Sequence, residues 1–359
     1  YTTGSFLIDA GVTYTNAADR VVELTLNCDD GNGSGCADFR YSTDGALDGS
    51  PASENTWITY PGGGTYSVTL DDVQGTNTVV VQYRDAVGRT SVTDSDAIFL
   101  DNIDPNTSDN YAAQYPGGWH NGDVNVTITP SDSAGSANSG IASNDYCSEI
   151  DGAAECTVFT TTNDTTPIVL PFASSAGSVV VYNLRYSSTD NATNTQTQVV
   201  TQVRTDLEAP TTGHNIPGGW VANNHDVVLS PSDGSGSGVA STSYCVDSAN
   251  NCAPTTPYSG SFTVTDNGGV QYVRFFSVDN VTNAETVNSS PIQVDTSAPT
   301  TYASNPTPTG TDWINDSVYT VTITPEDAGS GVANTYYCIE ETTQAACTPS
   351  AGTMVAGTA

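Results

Sequence analysis

Aspartate is the residue whose placement in this chain could do chemistry, because it recurs at three fixed points of a repeating pattern. One set, Asp30, Asp132, Asp233 and Asp327, follows a short run of alternating apolar residues. A second, Asp85, Asp190 and Asp279, ends a longer run, and a third, Asp9, Asp101, Asp206 and Asp295, precedes a hinge, with Asp104 close behind Asp101. Calcium takes six to eight oxygens from carboxylates, asparagine side chains and backbone carbonyls. Turns such as Asp190-Asn-Ala-Thr-Asn194 and the hinge Asp101-Asn-Ile-Asp104-Pro105 offer such oxygens. All of these aspartates except Asp9 are candidate calcium ligands. The competing role is local: Asp and Asn side chains cap turns by bonding their own backbone. No stretch has the dense Asp-x-Asp-x-Asp-Gly spacing that would decide between the two.

Other chemistries find less support. The chain has 359 residues, with 40 Asp+Glu against 7 Lys+Arg and a formal net charge of -33, so a polyanion such as nucleic acid would be repelled. Every basic residue is arginine, which excludes lysine Schiff bases and the phosphate-loop lysine. The histidines His120, His214 and His225 belong to no His-Glu-x-x-His arrangement, and no Gly-x-Ser-x-Gly elbow is present. Carboxylates that recur in every repeat are more simply structural than a glycosidase pair. No enzyme is expected. Trp119, Trp220 and Trp313 could stack on sugar rings, yet they recur at the entry to the same strand, where a packed indole is the default. Trp57 lies outside that pattern. Asn-x-Ser/Thr sequons occur at Asn32, Asn106, Asn125, Asn163, Asn191, Asn280, Asn288 and Asn315, no more than the composition yields by chance.

The elements that must position these residues are strands. Val124, Val126 and Ile128 alternate with Asn125, Thr127 and Thr129, the period of a half-buried strand, and no window sustains a helical apolar face. The pattern repeats about every hundred residues. Tyr115-Pro-Gly-Gly-Trp119 leads through the alternating run to Asp132, Ser139-Gly-Ile-Ala142 and Tyr146-Cys147. Ile216-Pro-Gly-Gly-Trp220 leads likewise to Asp233, Ser237-Gly-Val-Ala240 and Tyr244-Cys245. A further copy carries Asp327, Ser330-Gly-Val-Ala333 and Tyr337-Cys338, and a divergent first copy carries Asp30, Ser34-Gly-Cys-Ala37 and Tyr41. Short alternating strands with frequent turns predict an all-β chain of tandem immunoglobulin-like antiparallel β-sandwiches.

Eight cysteines fall in four close pairs, Cys28/Cys36, Cys147/Cys156, Cys245/Cys252 and Cys338/Cys347, without the Cys-x-x-Cys or histidine partners of a zinc site. Local disulfides are expected, and with them an extracellular or cell-surface location. No run of 18 apolar residues is present, so no membrane span is expected.

The Pro-Gly-Gly-Trp start, the Asp…Ser-Gly-Val-Ala…Tyr-Cys middle, the Asp-Asn-x-Thr-Asn turn and the Val-Asp-x-x-Ala-Pro hinge resemble bacterial and archaeal Ig-like repeats of large surface proteins. That resemblance implies a non-catalytic extracellular rod, an adhesin stalk or a filament-forming element. Its partners would be further repeats or copies of itself, head to tail, with a surface glycan or host ligand on the loops. The same repeats also serve as carbohydrate-binding or accessory modules of secreted polysaccharide-acting proteins. The hinge aspartates would sit as in the interdomain calcium sites of cadherin-like proteins.

The expected divisions are 10–103, 104–207 and 208–296 for three whole units and 297–359 for an incomplete fourth. Residues 1–9 match the last strand of a unit, Ser5-Phe6-Leu7-Ile8-Asp9 against Ser290-Pro-Ile-Gln-Val-Asp295. This orphan strand would belong to a preceding repeat of a longer array, or be donated to the open fourth unit of a neighbouring copy.

Overall fold

The computed structural model describes residues 2–49, 56–71, 74–132, 138–157, 159–163, 165–304, 320–339, 347–349 and 354–356. Trp313 and Asn315 lie outside the described residues. Two compact units divide the chain, Tyr1–Asp206 and Leu207–Ala359.

In the first unit, the first repeat comprises β1 (Thr3–Ile8), β2 (Tyr14–Thr15), β3 (Val21–Asp29), β4 (Cys36–Ser42), β5 (Ile58–Thr59), β6 (Thr65–Thr69), β7 (Gly75–Asp85) and β8 (Asp94–Leu100). Sheets ordered β1-β3-β6 and β2-β8-β7-β4-β5 face each other. Their period-two sequences explain the sandwich: Val22, Leu24 and Leu26 of β3 are buried while Val21, Glu23 and Thr25 are exposed. Across the core they meet Phe39, Val79, Val81 and Tyr83. The second repeat has β9 (Ser108–Asp109), a short helix α1 (Tyr111–Gln114), β10 (Val124–Thr129), β11 (Ile141–Ile150), β12 (Thr160–Thr162), β13 (Ile168–Phe172), β14 (Val179–Asp190) and β15 (Val199–Asp206). Sheets β13-β10-β9 and β12-β11-β14-β15 enclose Val124, Val126, Ile128, Leu184, Tyr186 and Val203.

In the second unit, the third repeat has β16 (Thr211–His214), β17 (Trp220–Val221), β18 (His225–Val227), β19 (Leu229–Ser232), β20 (Val239–Asp247), β21 (Thr256–Pro257), β22 (Phe262–Val264), β23 (Val270–Asp279) and β24 (Asn288–Val294). Its larger sheet is β17-β24-β23-β20-β21. The fourth repeat contributes β25 (Thr300–Ser304), β26 (Thr322–Glu326), β27 (Asn334–Tyr336) and β28 (Met354–Ala356), paired two by two. The chain is thus a tandem of immunoglobulin-like β-sandwiches.

The orphan-strand expectation for residues 1–9 is overturned. β1 pairs antiparallel with β3, from Thr3 opposite Asp29 to Ile8 opposite Leu24, and its Phe6 and Ile8 enter the core of the first repeat. The outward N–H groups of Phe6 and Ile8 donate to the Asp94 and Asp96 carboxylates at 3.2 and 2.9 Å. β1 is therefore held within its own repeat on one side by β3 and on the other by Asp94 and Asp96, so Ser5–Ile8 is not an unpaired strand. Thr2-Thr3-Gly4 corresponds to Thr211-Thr212-Gly213 at the start of the third repeat.

The Ser-Gly motif has one backbone task in the first three repeats. Gly35, Gly140 and Gly238 hold φ of +85°, +79° and +91°, and a register shift follows within three residues in β4, β11 and β20. Glycine takes that conformation without steric penalty, and the bulge ends the loop that carries the aspartate.

All four disulfides form, with Cα separations of 6.2 to 6.3 Å. Cys28–Cys36 staples β3 to β4 across the Asp30 loop, whereas Cys147–Cys156 and Cys245–Cys252 tie β11 and β20 to the segments that follow. The shared Tyr-Cys placement suggests that Cys338–Cys347 is equivalent to these last two, and the structure differs at Cys347. That residue is exposed, whereas the other cysteines, Cys338 included, are half-buried. Cys338 follows β27 directly, two residues beyond Tyr336.

Candidate metal centre

Each aspartate first serves its own turn. The loop aspartates accept the N–H of the motif glycine: Gly35 to Asp30 at 2.9 Å, Gly140 to Asp132 at 2.7 Å, Gly238 to Asp233 at 2.7 Å and Gly331 to Asp327 at 2.9 Å. The strand-end aspartates hold the turn beyond them. Asp190 accepts the Asn194 backbone N–H at 2.8 Å and its side-chain amide at 2.7 Å, and Asp279 treats Asn283 in the same way. Asp85 accepts from the Val87 and Arg89 N–H groups. The capping role is thus real for both sets.

The hinge aspartates act across repeats. Asp101, just beyond β8, accepts the Ser139 N–H of the second repeat at 2.7 Å and the Ile103 N–H at 3.3 Å. Asp295 repeats this geometry in the second unit, accepting from Ser330 at 2.7 Å and Ser297 at 3.0 Å. The hinge residue of one repeat therefore seats in the Ser-Gly loop of the next. That loop also carries Asp132, and Asn194 of the strand-end turn donates to the Asp101 carbonyl at 2.8 Å.

These contacts bring three carboxylates together. Asp101, Asp132 and Asp190 each place an oxygen within 4.8 Å of the others. Asp101 and Asp190 are 0% and 1% exposed, and Asp132 is half-buried. Asp132 Oδ1 is buried without a hydrogen-bond partner among the described residues. Burial raises the Asp132 carboxyl, and the charges of Asp101 and Asp190 raise it further; burial likewise raises Asp190, with Asp101 adding to it. The donor set is hard oxygen only, with one oxygen unclaimed. It fits a calcium-class cation and lacks the sulfur and imidazole ligands of zinc.

The other candidate ligands stand apart from this cluster. Asp30 and Asp85 join no group of three carboxylates among the described residues; Thr2 donates its hydroxyl to Asp30 at 3.1 Å, and Arg89 lies near Asp85. Asp104 is exposed. Asp206 ends β15 and is fully buried, while Asp233 and Asp279 hold in the third repeat the places of Asp132 and Asp190. Asp295 and Asp327 serve one Ser-Gly loop together. Single aspartates could be found from sequence. Their convergence could be found only by pairing each hinge with the loop of the following repeat.

Among the described residues the tryptophans are partnered or isolated, and His214 braces a turn. Arg204 lies over the Trp119 ring at 5.5 Å from its centroid, so that face is taken. Trp57 carries Arg40 and Arg84 at 5.1 and 4.6 Å. Trp220 is 39% exposed on β17. His214 accepts the Ile216 N–H at its Nδ1 and bonds Ser290 through Nε2, a turn-bracing role.

No protein-family model matches the chain, and no curated protein matches it. Among solved structures it is similar to the fibronectin(III)-like modules of Clostridium thermocellum CbhA, at 13% identity over 57% of this chain and 94% of that one, with a TM-score of 0.31. It is also similar to the FN1–FN3 domains of chicken CNTN1, at 11% identity over 80% of this chain and 98% of that one, with a TM-score of 0.26.

Proposed function

We propose that the chain is a non-catalytic extracellular spacer, an array of β-sandwich repeats of the adhesin-stalk kind, whose junctions are braced by calcium. The observation that carries this reading is the seating of a hinge carboxylate in the following repeat, from Asp101 to Ser139 and from Asp295 to Ser330. Side chains that recur once per repeat at the joint between repeats serve the joint. The disulfides support an oxidising, extracellular setting, and no described helix is long and apolar enough to cross a membrane. Calcium would be held by Asp101, Asp132 and Asp190, with the remaining oxygens from carbonyls and water; its two charges would offset most of the repulsion among the three carboxylates.

Immunogold labelling of the producing cells tests the location, with label expected at the surface or in the secreted fraction; label confined to the cell interior contradicts it. The rival reading, an accessory module array that binds polysaccharide, draws on the exposed indole of Trp220. Tryptophan fluorescence titrated with a polysaccharide panel separates the two, since the spacer reading expects no saturable change.

A further inference from the structure

The second repeat contains an inter-sheet cavity of about 300 Å³, walled by Tyr146, Leu170, Phe172 and Leu184, with Thr160 and Ser148 as hydroxyl-bearing residues and the Cys147–Cys156 disulfide beside them. Its origin is visible in the neighbouring repeats, where strand register identifies the same three positions. In the third repeat Tyr244 stacks on Phe262 at 3.8 Å between centroids and 13° between planes, and Tyr258 closes edge-on over both at 6.4 Å. In the first repeat Tyr41 meets Tyr66 at 5.8 Å, with Ile58 packed against the same core.

The second repeat keeps only the first member of this trio. Tyr146 corresponds to Tyr244 and Tyr41. Leu170, opposite Val126, takes the place of Phe262 and Tyr66, and Thr162, opposite Asn144, takes the place of Tyr258 and Ile58. An aromatic has become leucine, and a tyrosine or isoleucine has become threonine. Among the described residues no aromatic ring partners Tyr146 through a ring contact. Protein interiors are close-packed, and the space beside Tyr146 forfeits the ring contacts that Tyr244 and Tyr41 make in the neighbouring repeats. Its volume lies at the lower end of the range of small-ligand pockets, room for one ring and not for an extended segment.

We propose that this cavity is a binding site for a free monocyclic phenol, whose ring supplies the missing partner of Tyr146 and whose hydroxyl reaches Thr160 or Ser148. The chemical class follows from what the other repeats place there: in the third, an aromatic ring stacked on the tyrosine and a phenol beside it. Apolar contact supplies the affinity and offset ring stacking the orientation. This site is independent of the aspartate junction.

The probe is p-cresol, the side chain of tyrosine without its backbone, titrated into the full chain and followed by methyl and aromatic NMR. Saturable shifts at Leu170 and Tyr146 are expected, without matching shifts at Phe262 and Tyr244. Two variants fill the cavity as the third repeat does, Leu170→Phe alone and Leu170→Phe with Thr162→Tyr. Both should stay folded, and the double variant should bind p-cresol at least tenfold more weakly. Three results would overturn the proposal: no saturable shift at Leu170 and Tyr146; equal binding by wild type and a folded filled variant; or binding of a tyrosine-bearing peptide with none of p-cresol. A filled variant that melts higher while wild type ignores p-cresol would show a packing defect only.

Discussion

The carboxylate of Asp101 accepts the backbone N–H of Ser139 at 2.7 Å, so a residue that ends one β-sandwich is a structural member of the next. Asp295 and Ser330 make the same bond at the same distance in the second unit. What differs is the surroundings. Asp101 is joined by Asp132 and Asp190, two carboxyls raised by burial and by neighbouring charge. Asp295 is lowered by hydrogen bonds from the Ser330 N–H and hydroxyl and from the Ser297 N–H.

This contrast fixes opposite pH responses. A carboxyl raised on folding contributes stability that is complete below its unfolded value, about 3.9, and is lost as pH rises through its raised folded value. Asp132 and Asp190 therefore loosen the Asp101–Ser139 joint as pH rises through their raised values without a cation. A lowered carboxyl contributes stability that is complete above about 3.9 and is lost as pH falls through its folded value, so the Asp295–Ser330 joint weakens in acid. Amide exchange at Ser139 and Ser330, corrected for intrinsic rate and followed in chelator, should show protection changing in opposite directions. Parallel pH trends would refute the assignment.

The seam between the first strand and the opposite sheet offers a second check. Gln196 accepts the Thr107 N–H at 3.2 Å and donates to the Thr107 carbonyl at 2.9 Å. Glu285 does the equivalent work at Thr212, accepting its N–H at 2.9 Å and its hydroxyl at 2.6 Å. Gln196→Ala strands both backbone groups and should destabilise the second repeat by about 1–3 kcal/mol. Exchange at the Thr107 amide should rise, with the Thr212 amide unaffected.

Close approach to Tyr83 leaves no room for a side chain at Gly4. A Cβ at that position would lie 2.2 Å from the Tyr83 ring, whose hydroxyl donates to the Ser5 carbonyl at 2.9 Å. Gly4→Ala must displace a buried tyrosine and should destabilise the first repeat by about 1–3 kcal/mol. Chemical denaturation measures it, and a change within error would show that β1 is not seated as described.

Backbone strain marks the Asp-Asn-x-Thr-Asn turn. Thr193 and Thr282 hold φ of +73° and +75°, a region that disfavours β-branched side chains, whereas the first repeat has Gly88 there at +87°. Thr282→Gly relieves that strain against the added entropy of the unfolded chain, and a net gain of about 0.5–1 kcal/mol is expected in thermal melts.

Much of this fold could be read directly from residues. The alternation of Val22, Leu24 and Leu26, the fixed Ser-Gly step and the cysteine spacings each report local geometry, which local sequence carries. Spacing pairs Cys338 with Cys347 but is silent on how exposed each cysteine is. Ser5–Asp9 misled because an apolar alternation ending in aspartate suits a first strand as well as a last one. Period two reports burial, not the identity of the partner strand. Thr2-Thr3-Gly4 matches Thr211-Thr212-Gly213, which open the first strand of the third repeat. The aspartate cluster escaped for another reason: each member is already explained by its own turn, and the shared site arises only where one repeat docks on the next.

Amide exchange at Ser139 in the intact chain, with calcium and with chelator, tests the central claim most directly. The calcium-braced junction predicts that calcium slows exchange at Ser139 and at the Asn194 backbone amide in wild type, and that Asp132→Asn abolishes the slowing while the first repeat stays folded. Equal exchange with and without calcium in wild type would contradict it.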